Sequence, residues 1–286
     1  MKEALRDAKK DTVMHTVKVP LIGMKETLLL TLYTRAMDSR SKHPILGDKK
    51  AEEIVKLLDY DFQKLKVPQK ESFGGAIRAK MLDVCIAEFL ADHPDATVLD
   101  LGCGLDSRRE RVNPPKGVHW FDIDYPDVIK VRQRFYCEHD GYQMIGASLT
   151  DPGFLDAIPT DRPAIMVADG LLPFLTEDEI KQLFRRLPAH FPSGQLAFNS
   201  YSKLASRLMV FHPSMKAIGI MPASWGFDDP HEPEMWNPRL KLIGALSITG
   251  SSYIARTPWT YRTTCRLMYS MPALRKEGGW IFRYQF

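Results

Sequence analysis

The chain has 286 residues, of which 44% are hydrophobic and 26% charged, close to the usage of globular proteins. A chain of this length can bury a core without disulfides or metals, which excludes a disordered, fibrous or disulfide-scaffold protein. The net charge of +4 is small, and no basic stripe with interleaved aromatic residues is present, so a nucleic-acid partner is not expected.

Cysteine usage and the apolar runs favour a cytoplasmic protein without a membrane partner. Cys85, Cys103, Cys137 and Cys265 lie far apart without a C-x-x-C pair, so neither a zinc site nor a redox pair is expected. The first twenty residues are rich in charge and lack a secretory apolar segment. The longest early apolar run, residues 28–30, is far shorter than the ~20 residues that span a membrane.

Residues 1–95 read as a mainly helical region. Apolar residues recur at helical spacing over 27–37, 51–58 and 77–90. The pair Gly74-Gly75 is predicted to break the chain just before the third of these helices.

From residue 97 the pattern changes to short apolar runs typical of buried strands. These runs cover 97–101, 119–124, 142–149, 164–171 and 195–201, and a last strand is predicted over 280–286. Thr176 and Glu179 form a capping-box pattern before a helix that separates the fourth and fifth runs. Strands that alternate with helices predict parallel βαβ units, and we assign residues 96–286 to one α/β core that packs with the helical region as one unit.

The segment 211–240 is rich in proline and also holds Trp225 and Trp236. Long segments of this kind in compact domains are often lids or substrate-facing loops, which predicts a lid insertion over about 205–245. An ordinary surface excursion explains the same composition equally well.

The most informative motif is a glycine turn at the end of the first predicted strand. Gly102 and Gly104 are separated by one residue, so the backbone can turn tightly and approach a ligand without an intervening Cβ. A dinucleotide site requires a third glycine, and Ser107 stands at that position. Asp100 disfavours a pyrophosphate but suits a cation such as S-adenosylmethionine (SAM).

Acidic residues also end two other predicted strands. Asp124 follows the turn at the spacing of about 20 residues expected for a carboxylate that binds ribose, and strand alternation puts Asp122 on the same face. Asp169 follows the fourth strand and can reach an ammonium group or the reacting centre. Aspartates also commonly cap helices and turns, so a structural role remains an alternative for Asp124 and Asp169.

Several strings together resemble the leucine carboxyl methyltransferase family, most closely its bacterial polyketide O-methyltransferase branch. They are Ser72-Phe73-Gly74-Gly75-Ala76-Ile77-Arg78, the glycine turn 100–108, and Asp122-Ile123-Asp124-Tyr125-Pro126-Asp127-Val128-Ile129. Segments 32–36, 44–48, 225–230 and 283–286 also match, so the resemblance covers roughly residues 25–286.

The resemblance implies a class I SAM-dependent methyltransferase fold: an α/β, Rossmann-like, mostly parallel sheet of seven strands with an antiparallel last strand. A helical cap precedes the sheet, and a lid insertion follows its fifth strand. The implied cofactor-binding residues are Arg35, Arg78, Gly102, Gly104, Asp124, Leu149 and Asp169.

Within that set the resemblance implies separate roles. Arg78 would bind the SAM carboxylate, with Arg35 nearby. Gly102 would contact the methionine moiety, Asp124 the ribose and Leu149 the adenine. Asp169, Asp122 and Ser148 depart from the family pattern, which usually has glutamate at the first two positions and often an acidic residue at the third.

These residues lead to the hypothesis of an O-methyltransferase that modifies a carboxyl or acidic hydroxyl group of a small molecule, such as a polyketide or another secondary metabolite. His190, His212 and His231 lack a recognisable catalytic spacing, so we expect no dedicated base. The acceptor pocket is predicted from Tyr33 and Arg35 with Trp225, Phe227 and Trp236. The alternatives are an NAD(P)-dependent oxidoreductase, a non-catalytic scaffold, or a methyltransferase for protein C-terminal carboxyl groups.

Overall fold

A computed structural model describes residues 16–21, 23–220 and 226–286. The strands are β1 (Val17–Lys18), β2 (Leu58–Asp59), β3 (Thr97–Leu101), β4 (His119–Asp124), β5 (Tyr142–Gly146), β6 (Ala164–Ala168), β7 (Gly194–Ser200), β8 (Lys241–Ser247) and β9 (Trp280–Gln285). The helices are α1 (Thr27–Ser39), α2 (Lys49–Leu57), α3 (Gln69–Asp92), α4 (Arg108–Val112), α5 (Pro126–Arg132), α6 (Glu177–His190), α7 (Lys203–Leu208), α8 (Pro213–Ile218), α9 (Glu232–Trp236), α10 (Trp259–Ser270) and α11 (Pro272–Arg275).

Seven strands form one sheet in the order β5-β4-β3-β6-β7-β9-β8, and β1 pairs separately with β2. The strands β3 to β7 are mutually parallel, whereas β9 runs antiparallel to both of its neighbours. Leu101 pairs with Ile123 on one side and with Ala168 on the other. This register brings the carboxyl ends of β3, β4 and β6 to one edge, where ligands of open α/β sheets bind.

Apolar side chains cover both faces of the sheet. On one face, residues of α1 and α3 share a hydrophobic cluster with β3 and β6, for example Leu82 with Val98 and Ile165. On the other face, α6 packs through Phe184 against Phe198 of β7. The predicted capping box at the start of α6 is confirmed, since both of its reciprocal hydrogen bonds are present.

The prediction that Gly74-Gly75 breaks the chain is wrong, because both glycines lie inside α3. A Cβ at Gly75 would lie 3.2 Å from Thr34 Oγ1 of α1, and one at Gly74 would lie 3.3 Å from the Tyr261 hydroxyl of α10. The glycines therefore permit close helix contacts, and that packing outweighs their low helix propensity, which costs ~1 kcal/mol each.

The structure also corrects the predicted ends of two strands and of the lid insertion. The strands β5 and β6 each end three residues earlier than expected, at Gly146 and Ala168. The last five residues of the predicted lid insertion, 241–245, belong to β8. This strand lies at the edge of the sheet and is largely exposed, so its sequence lacks the apolar pattern of a buried strand.

Candidate cofactor site

The glycine turn directly follows β3 at the carboxyl edge of the sheet. Its backbone conformation favours glycine. Gly102 has a φ of +68° and Gly104 a φ of +50°, both in the left-handed region. The Gly102 and Cys103 amides donate hydrogen bonds of 2.8 and 3.2 Å to the Ile123 carbonyl oxygen, which fixes the turn against β4.

Side chains from two other elements lie directly over this turn. A Cβ at Gly102 would lie 3.1 Å from Leu171 Cδ1, and one at Gly104 would lie 3.2 Å from Leu28 Cβ. These distances are shorter than ordinary van der Waals contacts, so a larger residue at either position would displace a neighbour. Glycine is therefore required here by packing within the chain, and the predicted approach of a ligand to this backbone stays a prediction.

Asp124, the last residue of β4, faces the turn. Its Oδ2 accepts a hydrogen bond of 2.8 Å from the Gly104 amide, and its Oδ1 accepts one of 2.7 Å from the Tyr125 amide. Burial raises the pKa of this carboxyl group above its ordinary value, although the two amide donors oppose that shift. The structure thus brings Asp124 and the turn together, as the sequence predicted.

Asp122 has a different setting, deep inside the sheet. Its Oδ2 accepts hydrogen bonds from Arg132 and, at 2.6 Å, from the Tyr142 hydroxyl. Arg132 in turn donates bonds of 3.1 and 2.7 Å to the carbonyl oxygens of Gly104 and Asp106. Asp122 therefore supports the turn through Arg132, a residue that the sequence analysis did not identify.

Arg78 and Asp169 form an ion pair at the same edge of the sheet. Arg78 Nε on α3 lies 2.5 Å from Asp169 Oδ1, directly after β6, but these two atoms are not aligned for a hydrogen bond. Arg78 Nη1 donates a hydrogen bond of 3.2 Å to the Tyr201 hydroxyl. The two residues with opposite charges predicted for the amino-acid end of the cofactor thus lie side by side.

A second arginine holds Asp169 from the interior. Arg108, which is 0% exposed, donates a hydrogen bond of 2.8 Å to Asp169. It also lies 2.9 Å from Asp83, 3.1 Å from Asp106 and 3.3 Å from Asp100. These contacts form one connected ionic cluster. A buried charge is costly unless it is paired, and each of these carboxylates pairs with Arg108.

Arg35 belongs to the same cluster. Its guanidinium is buried and lies 3.2 Å from Asp48 and 3.7 Å from Asp106. Arg111 contacts the same two carboxylates at 3.0 and 2.6 Å. The contacts of Arg35 therefore connect the cap helix α1 to the segment after the glycine turn.

The role suggested for Asp100, attraction of a cationic ligand, does not agree with its position. Asp100 is buried and its carboxyl group lies against Arg108. Burial raises the pKa of Asp100, and the neighbouring Arg108 opposes that shift. A carboxyl group that is enclosed and paired with an arginine supplies little attraction for a further cation.

Leu149 lies beyond the end of β5, at the same edge as the turn. Its side chain is buried, and its carbonyl oxygen accepts a hydrogen bond of 2.8 Å from Arg186. The neighbouring Ser148 hydroxyl forms a 2.8 Å hydrogen bond with Thr150 Oγ1. The Ser148 hydroxyl therefore has its hydrogen-bond partner within its own loop.

The predicted acceptor pocket does not form as a unit. Phe227 is only 4% exposed and packs against Trp236, with ring centroids 5.6 Å apart, in the cluster that contains α6. These two aromatic rings belong to the hydrophobic cluster that covers the α6 face of the sheet. Tyr33 stacks on Phe62 with a centroid distance of 5.1 Å, and Trp225 lies outside the described residues.

Each of the three candidate histidines has a polar partner away from the glycine turn. The partners are the Ile158 carbonyl oxygen for His190 at 2.9 Å, Glu71 for His212 at 2.9 Å and Glu234 for His231 at 3.2 Å. The described residues contain no group of three or more His, Cys, Asp or Glu side chains that could hold a metal ion. Within the same residues, no helix has the length and hydrophobicity needed to cross a membrane.

Two surface cavities lie elsewhere. One, of about 310 Å³, is lined by residues such as His93, Gly194 and Arg239, where β7 begins. The other, of about 360 Å³, lies between α3, β8 and α10 and includes Cys85. Neither is lined by a predicted cofactor residue, so the candidate site rests on the carboxyl edge of the sheet.

The strand order, the antiparallel β9, the glycine turn and the acidic end of β4 together define the fold class of the class I SAM-dependent methyltransferases. A solved DUF574 family protein from Streptomyces avermitilis has this fold in common with the chain, with a TM-score of 0.57 at 15% identity. The match covers 88% of this chain and 96% of that one.

Residues 29–188 match the model of the leucine carboxyl methyltransferase family, and the chain belongs to this family. It is 40% identical to the tetracenomycin polyketide synthesis O-methyltransferase TcmP of Streptomyces glaucescens, over 94% of this chain and 98% of that protein. It is 35% identical to the SAM-dependent methyltransferase dpfgK of Gibberella zeae, over 78% and 82% of the two chains. The expected family, fold and SAM cofactor are thereby confirmed.

The residues present fit this cofactor. The carboxyl group of Asp124 faces the glycine turn at the carboxyl edge of the sheet, where it suits the hydroxyl groups of a ribose. The adjacent Arg78–Asp169 pair offers one positive and one negative partner, as the zwitterionic amino-acid end of SAM requires.

Proposed function

We propose that the protein is an O-methyltransferase that modifies a carboxyl or acidic hydroxyl group of a small molecule, such as a polyketide or another secondary metabolite. The observation that carries this proposal is the 40% identity to a polyketide O-methyltransferase over nearly the whole of both chains. We also propose a cytoplasmic location, which the scattered cysteines favour.

We propose for the site residues the roles that the family resemblance implies. Gly102 and Gly104 approach the methionine moiety, Asp124 binds the ribose hydroxyls and Leu149 flanks the adenine. Arg78 binds the carboxylate and Asp169 the ammonium group, which agrees with their contact at the edge of the sheet. Arg35 acts indirectly, since its guanidinium contacts Asp48 and Asp106.

For methyl transfer the protein has mainly to align the methyl donor with the acceptor oxygen. When bound, SAM would supply an electrophilic methyl group on its sulfonium: the acceptor oxygen would form the new bond to this methyl group, and the thioether S-adenosylhomocysteine would leave. Holding two reactants in the correct geometry in a dry site accounts for ~7–11 kcal/mol of barrier reduction. Leu28 and Leu171, which lie over the turn, give this part of the site apolar walls.

No general base is needed for a carboxyl acceptor. A carboxylic acid with a pKa of ~4 is already ionised at neutral pH, whereas a phenol with a pKa of ~10 benefits from a base. We therefore expect alanine at His190, His212 or His231 to lower turnover by less than about tenfold. A loss above ~10²-fold in any one of them, measured with a folded variant, would assign that histidine as a base and contradict this mechanism.

The acceptor class is tested with methyl-labelled SAM and a panel of aromatic polyketide carboxylic acids and phenols. The proposal predicts label in the small-molecule fraction and none in a protein fraction offered in parallel. Mild alkali then separates the products, because a methyl ester releases labelled methanol and an aryl ether does not. Label confined to protein would instead favour methylation of protein carboxyl groups.

A further inference from the structure

The guanidinium of Arg78 is held from two sides. Asp169 lies against Nε, and the Tyr201 hydroxyl accepts a hydrogen bond of 3.2 Å from Nη1. Tyr201 directly follows β7, which is the neighbour of β6 in the sheet. The ends of two adjacent strands therefore fix the position of one side chain from α3.

The remaining edge of the guanidinium is kept clear. A Cβ at Gly170 would lie 3.3 Å from Arg78 Nη2, and Gly170 has a φ of +74° that favours glycine. The Gly170 amide donates a hydrogen bond of 2.6 Å to Oδ1 of Asn199, a buried residue at the end of β7. This bond fixes the backbone beside Nη2. Within the described residues Nη2 donates no hydrogen bond, and it is not one of the buried polar atoms that lack a partner, so it is available to a ligand carboxylate.

We propose that Tyr201 is a positioning residue for the cofactor: its hydroxyl holds Arg78 so that Nη2 faces the carboxylate of the amino-acid end. This inference rests on the cofactor role proposed for Arg78. An arginine that is already held by fixed partners loses less side-chain freedom when a carboxylate binds. No motif of the sequence marks Tyr201, because its partner lies 123 positions away in the chain.

The test compares two ligands in calorimetry. S-adenosylhomocysteine (SAH) carries the amino-acid end, whereas 5′-methylthioadenosine lacks it and shares the adenosine. Tyr201→Phe removes only the hydroxyl and keeps the ring, which packs near Gly279. We expect this variant to bind SAH about tenfold more weakly and 5′-methylthioadenosine within about twofold of the wild type.

The matched control is Tyr269→Phe, which removes a hydroxyl from a more exposed tyrosine on α10. We expect it to leave the affinities for both ligands unchanged. Equal loss of both ligands in Tyr201→Phe, no loss of either, or loss of the folded state would make the hydroxyl structural or idle and would overturn the inference. If wild-type protein binds neither ligand, the proposed function fails before the role of Tyr201 is reached.

Discussion

Replacing Asp124 with alanine is expected to weaken the binding of SAH and of 5′-methylthioadenosine by about 100-fold. Each hydrogen bond to a charged group contributes ~1.5–3 kcal/mol, so the loss of the two proposed ribose contacts amounts to at least ~3 kcal/mol, which is about a factor of 100. The same carboxylate accepts the Gly104 amide, so the turn also loses a fixed partner. Both ligands are affected because both carry the ribose, in contrast to the effect expected for Tyr201→Phe.

Two further variants make this result specific. Asp124→Asn keeps the shape of the side chain and one acceptor oxygen, so its loss of affinity should be smaller than that of the alanine variant. Asp140→Ala removes an exposed carboxylate from the loop before β5 and should change the affinities by less than about threefold. If Asp124→Ala binds SAH as well as Asp140→Ala does, the ribose role is wrong.

Replacing Arg132 with leucine is expected to lower the free energy of unfolding by ~3–5 kcal/mol, the cost of breaking a buried ion pair. The substitution leaves the Asp122 carboxylate buried without its cation, and the remaining donors, Trp120 Nε1 at 2.8 Å and the Tyr142 hydroxyl at 2.6 Å, carry no charge. The carbonyl oxygens of Gly104 and Asp106 lose a donor as well.

Urea denaturation measures this effect, and an exposed ion pair supplies the control. Lys49 lies 2.9 Å from Glu52, with 73% of its side chain exposed, and such surface pairs contribute less than ~1 kcal/mol. Lys49→Met should therefore change stability little. A comparable small change in Arg132→Leu would show that the Asp122 pair does not support the turn.

Local signals were sufficient to predict the parallel strands and the cofactor edge. The strand β6 is a continuous apolar run, and β3 and β4 are short, largely buried runs that contain aspartates. The start of α6 is marked by Thr176 and Glu179, which form the capping box. The glycine turn and Asp124 are also adjacent to strand ends, so the register of a parallel sheet brings them together. These features depend on short stretches of sequence.

Features that depend on distant partners were missed. Gly75 looks like a helix breaker unless its contact with Thr34 is known. Arg132 resembles any basic residue in the last turn of a helix, although the buried position of Asp122 requires some partner. The orientation of the Phe227 side chain toward the core is likewise determined by the rings of Phe198 and Trp236, which are not its neighbours in sequence.

The central claim is that the glycine turn and Asp124 bind SAM. Isothermal calorimetry of the purified protein with SAM, SAH, NAD⁺ and NADP⁺ tests it most directly. The account predicts saturable binding of SAM and SAH with one ligand per chain and no heat from either dinucleotide. Saturable binding of a dinucleotide by a protein that ignores both SAM and SAH would contradict it.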